Sequence, residues 1–177
     1  MRVLITGGCG FIGHHVVDHF TKNTDAEIVI FDRLSYALGG FDRLRDSKLF
    51  DEKRIHVLAA DFSNPIPHGL EREIGKVTHI FHLGAETHVD NSQGNPETFV
   101  KTNVLGTMYM LEFARRISRL DQFVYLSTDE VFGPASSGEN FSEWDRYNSC
   151  SPYAASKAGG EELCLAWAST FKVPVLI

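Results

Sequence analysis

Residues 5–13 read Ile5-Thr6-Gly7-Gly8-Cys9-Gly10-Phe11-Ile12-Gly13 and directly follow an apolar run. The glycines satisfy both a G-x-G-x-x-G and a G-x-x-G-x-x-G spacing. Between a strand and a helix, such glycines allow a tight turn, close approach of a diphosphate to the backbone, and close packing of helix on strand. The diphosphate would lie at the helix N-terminus, near free N–H groups and the positive end of the helix dipole. The stretch therefore predicts a strand–turn–helix unit that binds a dinucleotide.

Asp32 is the acidic residue expected with this motif, at the end of the second apolar run and about 20 positions after Gly13. A carboxylate there accepts hydrogen bonds from the adenosine ribose hydroxyls and repels a 2′-phosphate, which favours NAD over NADP. The next residue is Arg33, and an arginine at this place accommodates a 2′-phosphate. The sequence favours NAD and leaves NADP open.

Short apolar runs alternate with helical patterns along the rest of the chain. The runs are rich in Val, Ile, Leu and Phe without clean alternation, as is typical of parallel strands covered on both faces. They predict strands at 2–6, 27–32, 55–59, 78–83, 122–127 and 174–177, and helices at 11–21, 41–50, 96–118 and 152–171. This alternation predicts a doubly wound parallel sheet of the Rossmann fold, three layers α/β/α, in one domain over 1–177.

Local signals mark two helix starts and two less regular segments. The pairs Asn95-Pro96 and Ser151-Pro152 each predict an N-cap residue followed by proline in the first helical turn. A turn with a short helix is expected within 64–75. Residues 133–151 are rich in Ser, Gly and Asn and form the one long irregular segment, which in a compact domain is usually functional or disordered.

Composition excludes several classes of protein. The 177 residues are 43% hydrophobic and 23% charged, which is ordinary for a soluble globular domain. A net charge of -6 without any Lys/Arg run argues against a nucleic-acid or anionic-membrane surface. No apolar stretch reaches the roughly 20 residues of a membrane span. Three cysteines without metal spacing indicate free thiols, a cytoplasmic protein and no metal site.

Two further segments carry chemistry. Tyr153 and Lys157 are spaced i, i+4 at the start of a predicted helix, so their side chains share a face, and an ammonium there favours the phenolate of a tyrosine base. Thr128, Asp129 and Glu130 follow the fifth strand at its carboxyl end, where open α/β sheets bind ligands. From the residues alone, a coincidental spacing and an exposed acidic turn stay open as alternatives.

Taken together, these segments resemble the extended short-chain dehydrogenase/reductase family of NAD-dependent epimerases and dehydratases, and within it the dTDP-glucose 4,6-dehydratases. The resemblance covers 1–177 but only the N-terminal half of the family's usual chain, so a C-terminal lobe that binds the nucleotide sugar is expected to be missing. Its motifs are residues 7–13, Asp32, Asp61-Phe62, 82–90, Thr102-Asn103, 127–133 and 151–157.

The resemblance implies a reaction in three steps with one tightly held NAD. Tyr153, helped by Lys157 and Thr128, would deprotonate the sugar O4 while hydride passes from C4 to NAD. Glu130 would then remove the C5 proton while protonated Asp129 donates to the leaving C6 hydroxyl, and hydride would return to C6. Two adjacent carboxylates repel each other, so one can stay protonated as the acid.

The resemblance also implies the binding residues. The coenzyme would be contacted by the glycine turn, the end of the second strand and three later segments: Gly7, Gly10, Phe11, Ile12, Gly13, Asp32, Arg33, Leu34, Ser35, Asp61, Phe62, Leu83, Gly84, Ala85, Thr102, Tyr153 and Lys157. The sugar would be contacted by Thr87, Thr128, Asp129 and Glu130. The chain departs from the family's usual residues at Cys9, His14, Gly84 and Phe132.

Several functions remain open beside dehydration of dTDP- or UDP-glucose. A UDP-sugar 4-epimerase or a UDP-glucuronate decarboxylase would keep the glycines, Asp32, Tyr153 and Lys157, although an epimerase needs no acid/base pair and such decarboxylases usually carry serine in place of Asp129. A non-catalytic NAD-binding module or an inactive fragment is the alternative from another class. By resemblance, a homodimer is expected, and the fragment would bind NAD but turn over little sugar.

Overall fold

The computed structural model describes residues 1–35, 39–138 and 140–177. Within them, six strands form one sheet in the order β3-β2-β1-β4-β5-β6, and every neighbouring pair is parallel. The chain starts at the centre of the sheet, builds outward on one side, and crosses over to build the other side. This confirms the predicted doubly wound α/β sheet.

The six predicted strands are all present. Their bounds are β1 Arg2–Thr6, β2 Glu27–Asp32, β3 Ile55–Ala59, β4 His79–His82, β5 Gln122–Tyr125 and β6 Val175–Leu176. The last three are shorter than predicted, since β4 and β6 lack one residue at each end and β5 lacks two at its carboxyl end. At β4 and β5, the residues released in this way begin the loops at the carboxyl edge.

The helices are α1 Phe11–Asn23, α2 Asp42–Asp46, α3 His68–Ile74, α4 Val89–Gly94, α5 Pro96–Phe99, α6 Gly106–Ala114 and α7 Pro152–Phe171. The helix predicted at 41–50 is shorter, because the backbone turns to a positive φ at Lys48. The helix predicted at 96–118 ends at Ala114 and contains a π-helical stretch, Val100–Leu105. The Ser151 side chain caps α7 at the N–H of Ala154, 3.0 Å away, as predicted. The cap predicted at Asn95 is wrong, since its side chain makes no capping bond.

Two apolar layers cover the sheet. On one face, Val3 and Ile5 of β1 pack with residues of α1 and α2. On the other face, Leu4 packs with residues of α3, α6 and α7. Among the described residues, no helix combines the length and the apolar composition needed to cross a bilayer. The sheet thus lies between two layers of helices, and the loops gather at its carboxyl edge.

Candidate functional site

The glycine turn connects β1 to α1 as predicted. Gly7 has φ +69 and accepts a hydrogen bond from the N–H of Gly10 at 2.9 Å. A Cβ at Gly13 would overlap the carbonyl oxygen of Gly7. Gly10 caps α1 without any side chain, and the N–H groups of Phe11 and Ile12 in the first turn have no acceptor within the helix. Those N–H groups and the absence of Cβ atoms fit a diphosphate.

The carboxylate of Asp32 is fixed by two backbone donors at the end of β2. It accepts hydrogen bonds from the N–H of Cys9 at 3.0 Å and the N–H of Leu34 at 2.9 Å. Arg33, the residue that left NADP open, forms an ion pair with Glu86 in the segment after β4. The pair joins two loops at the carboxyl edge of the sheet. Burial, with a smaller effect of Asp32, raises the pKa of the Cys9 thiol to about 12.

Asp61 and Phe62, both expected to contact the coenzyme, lie in the loop after β3 in different surroundings. Asp61 accepts the N–H of Ser63 at 2.8 Å and stays in the loop after β3. The Phe62 ring is buried and packs edge-on against Phe31 and His82, with centroids 6.2 and 5.1 Å away. Any contact of Phe62 with a base at this edge would therefore involve its backbone.

Asn103, in the π-helical stretch, organises the segment after β4. Its side chain accepts the N–H of Glu86 at 2.8 Å and donates to the Glu86 carbonyl at 2.9 Å and to Ser156 Oγ at 2.8 Å. Thr102, next to Asn103, is buried. Thr87, which follows Glu86, is exposed. Thr102-Asn103 belonged to the motif, but the fixing role of Asn103 was not anticipated.

Thr128, Asp129, Glu130 and Tyr153 lie together. Asp129–Phe132 forms a 3₁₀ turn, started by a bond from the N–H of Glu130 to Thr128 Oγ1 at 3.3 Å. A cleft of about 300 Å³ opens here, lined by Val89, Asp129, Glu130, Gly133, Pro134, Cys150, Ser151 and Ala154. Burial raises the pKa of Tyr153, a hydrogen bond with Thr128 opposes this, and Glu130 and Asp129 add to it. Two carboxylates thus line the cleft, and the phenol of Tyr153 lies near them.

Lys157 is buried behind this cleft. Its Nζ donates to the carbonyl oxygen of Leu126 at 2.6 Å and lies 4.1 Å from the centre of the Tyr125 ring. Burial lowers the pKa of Lys157 to about 8, and Cys164 and Glu161 oppose the shift. The ammonium thus ties α7 to the end of β5, in addition to sharing a helix with Tyr153.

Sequence reasoning missed Glu161 and Tyr147. Glu161 is buried and accepts hydrogen bonds from Ser127 Oγ and from Tyr147 OH, the latter at 2.7 Å. The available signal was its position, i+4 from Lys157 on the same helix. Tyr147 gave no signal, because nothing in an irregular segment says which helix it will contact. No group of three His, Cys, Asp or Glu suited to a metal occurs in the described part of the chain.

The chain is similar to known proteins of one family. Residues 4–177 match the family described as GDP-mannose 4,6 dehydratase. The dTDP-glucose 4,6-dehydratase of Escherichia coli is 37% identical over 100% of this chain, which spans 53% of that enzyme. The chain thus spans about half the length of the curated relatives it matches.

Solved structures point the same way. A UDP-glucuronic acid 4-epimerase from Bacillus cereus, solved with UDP-glucuronic acid and NAD, has TM-score 0.89 and 29% identity over 100% of this chain and 55% of its own. A dTDP-glucose 4,6-dehydratase from Streptomyces venezuelae, solved with NAD, has TM-score 0.86 and 34% identity over 99% of this chain and 54% of its own. The expected likeness to NAD-dependent epimerases and dehydratases of the extended short-chain dehydrogenase/reductase type is confirmed. The chain belongs to the GDP-mannose 4,6 dehydratase family.

Proposed function

We propose that this chain binds NAD and supplies the catalytic half of a nucleotide-sugar 4,6-dehydratase, which converts dTDP-glucose to dTDP-4-keto-6-deoxyglucose. The observation that carries the proposal is that Asp129 and Glu130 line one cleft at the carboxyl edge of the sheet, while Tyr153, hydrogen-bonded with Thr128, lies close enough to feel both carboxylates. An epimerase has no use for an adjacent acid and base, since it eliminates nothing.

The coenzyme site is supported by the chain's own groups. The free N–H groups at the start of α1 would hold the diphosphate, and the fixed Asp32 carboxylate would accept the ribose hydroxyls. Two solved relatives contain NAD. Bound NAD would supply reversible hydride acceptance at the sugar C4.

Tyr153 would take the proton from the sugar O4. Its pKa is raised by burial, so it needs neighbouring positive charge and donors to act as a base near neutral pH. Thr128 supplies a donor at the phenol, and Lys157 fixes the helix on which Tyr153 stands. The phenol would thereby be oriented toward the cleft.

Asp129 and Glu130 would carry out the elimination. A ketone at C4 makes the C5 hydrogen acidic, so a carboxylate at Glu130 can remove it. Asp129 in its protonated form would donate to the leaving hydroxyl at C6. Both side chains are exposed and line the cleft.

The test uses two proteins. The isolated chain is titrated with NAD by calorimetry, and we expect binding with little or no turnover of sugar. A chimera, in which this chain replaces the matching half of the E. coli dTDP-glucose 4,6-dehydratase, is incubated with dTDP-glucose in D₂O. A 4-keto product that absorbs in alkali and carries deuterium at C5 is the expected result.

Other outcomes would contradict the proposal. A galactose product without deuterium, from dTDP- or UDP-glucose, would indicate a 4-epimerase, and a pentose from UDP-glucuronate a decarboxylase. A chimera that binds NAD and yields no product would indicate a non-catalytic module. Asp129→Asn with Glu130→Gln is the matched control, because it should keep NAD binding and lose C5 exchange. Turnover by the isolated chain equal to that of the E. coli enzyme would contradict the need for a second half.

We also infer a homodimer through the helices of 96–114 and 152–171. Its support is the apolar surface on these helices, where Val100, Leu105 and Leu165 are 49%, 41% and 50% exposed. Light scattering on the isolated chain should give twice the monomer mass, and Leu165→Glu should reduce it to the monomer. A monomeric wild-type chain at high concentration would contradict the inference.

A further inference from the structure

Two successive turns of α7 hold two successive residues at the end of β5. Lys157 donates to the carbonyl of Leu126 at 2.6 Å, and Glu161, one turn later, accepts from the hydroxyl of Ser127. The residue that follows Ser127 is Thr128, where the acidic turn begins. A side chain of each charge therefore binds a residue just before the proposed catalytic residues, Lys157 at the Leu126 backbone and Glu161 at the Ser127 side chain.

The second oxygen of Glu161 connects a different part of the chain. It accepts the hydroxyl of Tyr147 at 2.7 Å, and Tyr147 belongs to the irregular segment 133–151. The same segment supplies Gly133, Pro134 and Cys150 to the cleft wall. The carboxylate thus joins the acidic turn, the cleft wall and the helix of Lys157.

The burial of the Glu161 carboxylate bears on its role. Glu161 is 7% exposed, and a carboxylate at that depth is unfavourable unless it is hydrogen-bonded or paired. A purely structural role would be met more easily by an apolar side chain of similar size, because buried ionic groups seldom add net stability. The buried carboxylate is held instead by the hydroxyls of Ser127 and Tyr147, next to the proposed site.

We propose that Glu161 is a positioning residue, and this proposal rests on the proposed function. Its charged carboxylate holds the acidic turn and the cleft wall in fixed positions relative to Lys157. It also keeps a negative charge one helical turn from the buried ammonium. Burial lowers the pKa of Lys157 to about 8, and Glu161 acts in the opposite direction. The other titratable groups around the pair are His82, Tyr125, Tyr147, Tyr153, Glu162 and Cys164.

The experiment follows the titration of Lys157 by NMR in the chain with labelled lysine, assigned with Lys157→Gln. Glu161→Gln should lower the titration midpoint of Lys157 by about one pH unit, since it removes an adjacent negative charge. Tyr147→Phe is the matched control, because it removes one donor to the carboxylate and keeps the charge. It should shift amide signals of 133–151 and leave the Lys157 midpoint in place.

Glu161→Asp covers the case in which the glutamine variant does not fold. It retains the charge, so the Lys157 midpoint should stay near its original value, while the amide signals of Thr128, Asp129 and Glu130 shift because the shorter side chain releases Ser127. An unchanged midpoint in Glu161→Gln, or unmoved amide signals of the acidic turn in both Glu161 variants, would overturn the proposal. None of these measurements requires turnover, so they fail independently of the dehydratase assignment.

Discussion

A Cβ added to Gly84 would lie 2.5 Å from Cε1 of Phe62, so the glycine and the large ring are matched to each other. Gly106 meets the same ring, since a Cβ there would lie 2.8 Å from its Cδ2. Gly84 is one of the positions where a departure from the resembled family is expected, and the Phe62 ring lies directly beside it. The ring occupies the space that an alanine methyl would need.

This match can be tested with a double-mutant cycle. Gly84→Ala should lower the free energy of unfolding by about 1–3 kcal/mol, because the methyl group overpacks the core against Phe62. Phe62→Leu alone leaves a cavity and also destabilises. The double variant should be more stable than the sum of the two changes predicts, measured by urea unfolding. Strict additivity would contradict the match.

Gly13 should tolerate no side chain. Gly13→Ala forces a methyl group onto the Gly7 carbonyl, so the glycine turn must open and the binding of NAD should fall at least tenfold by calorimetry. Gly69→Ala in α3 is the control, because nothing lies within 4 Å of its Cβ position. It should leave NAD binding unchanged and stabilise the fold by roughly 0.5–1 kcal/mol. Equal NAD affinity in both variants would contradict the assignment of the turn.

The sequence predicted the sheet and the glycine turn well because both depend on local signals. Apolar runs marked all six strands, and the spacing of Gly7, Gly10 and Gly13 placed the turn. The π-helical stretch could not be predicted from local signals. It contains Asn103, whose hydrogen bonds are to Glu86 and Ser156, and both are distant in the chain. The i, i+4 spacing of Tyr153 and Lys157 drew attention to the pair, the family resemblance implied their roles, and those roles stay predictions.

Other features of the site depend on tertiary contacts that no short pattern encodes. The burial of Phe62, the anchoring of Lys157 on Leu126 and the contact of Tyr147 with Glu161 each join segments that only the fold brings together. The helix at 42–46 was overestimated because the apolar pattern continued past Lys48, whereas the backbone did not. Residues 36–38 and 139 lie outside the described residues.

The ion pair of Arg33 with Glu86 should contribute to coenzyme choice. As long as Glu86 engages the guanidinium, Arg33 is less available to a 2′-phosphate. Glu86→Gln should therefore strengthen NADP binding relative to NAD by about tenfold, or ~1.4 kcal/mol. Asn103 binds only the backbone of Glu86, so the loop should keep its place. Calorimetric Kd ratios measure the effect, and adding Arg33→Gln to the variant should abolish the gain; a gain that survives would contradict it.

His82 should make the chain sensitive to acid. The Thr107 hydroxyl donates to the Asn103 carbonyl, so it accepts a hydrogen bond from Nε2 of His82. The Thr6 hydroxyl accepts the N–H of Gly84 and donates to Nδ1 of His82. The imidazole is therefore neutral, with its proton on Nε2. Burial lowers the pKa of His82 to about 3. Between the ordinary value near 6.5 and about 3, the unfolded chain holds a proton that the folded chain does not. Stability is therefore lost as the pH falls through this window.

The size of the effect is about 1.4 kcal/mol per pH unit within that window. Urea unfolding at several pH values should give a steeper acid dependence for the wild type than for His82→Gln, which has no titrating ring. The carboxylates contribute equally to both curves, so the difference isolates His82. Parallel curves for the two proteins would show that the ring titrates normally.

Tyr153 should become more acidic when oxidised coenzyme binds. Burial, Glu130 and Asp129 raise its pKa, and the Lys157 ammonium is engaged by the Leu126 carbonyl. A base with a raised pKa needs a further positive charge, and the oxidised nicotinamide ring carries one, whereas the reduced ring does not. NAD⁺ should therefore lower the pKa of Tyr153, and NADH should not.

The difference in tyrosinate absorbance between the wild type and Tyr153→Phe isolates this one phenol during a pH titration. With NAD⁺ the difference should develop at lower pH than in the protein alone, and with NADH it should not. An equal shift to higher pH with both coenzymes would indicate that removal of water, rather than ring charge, controls the phenol. In that case Thr128 and Lys157 would have to supply the activation of Tyr153 by themselves.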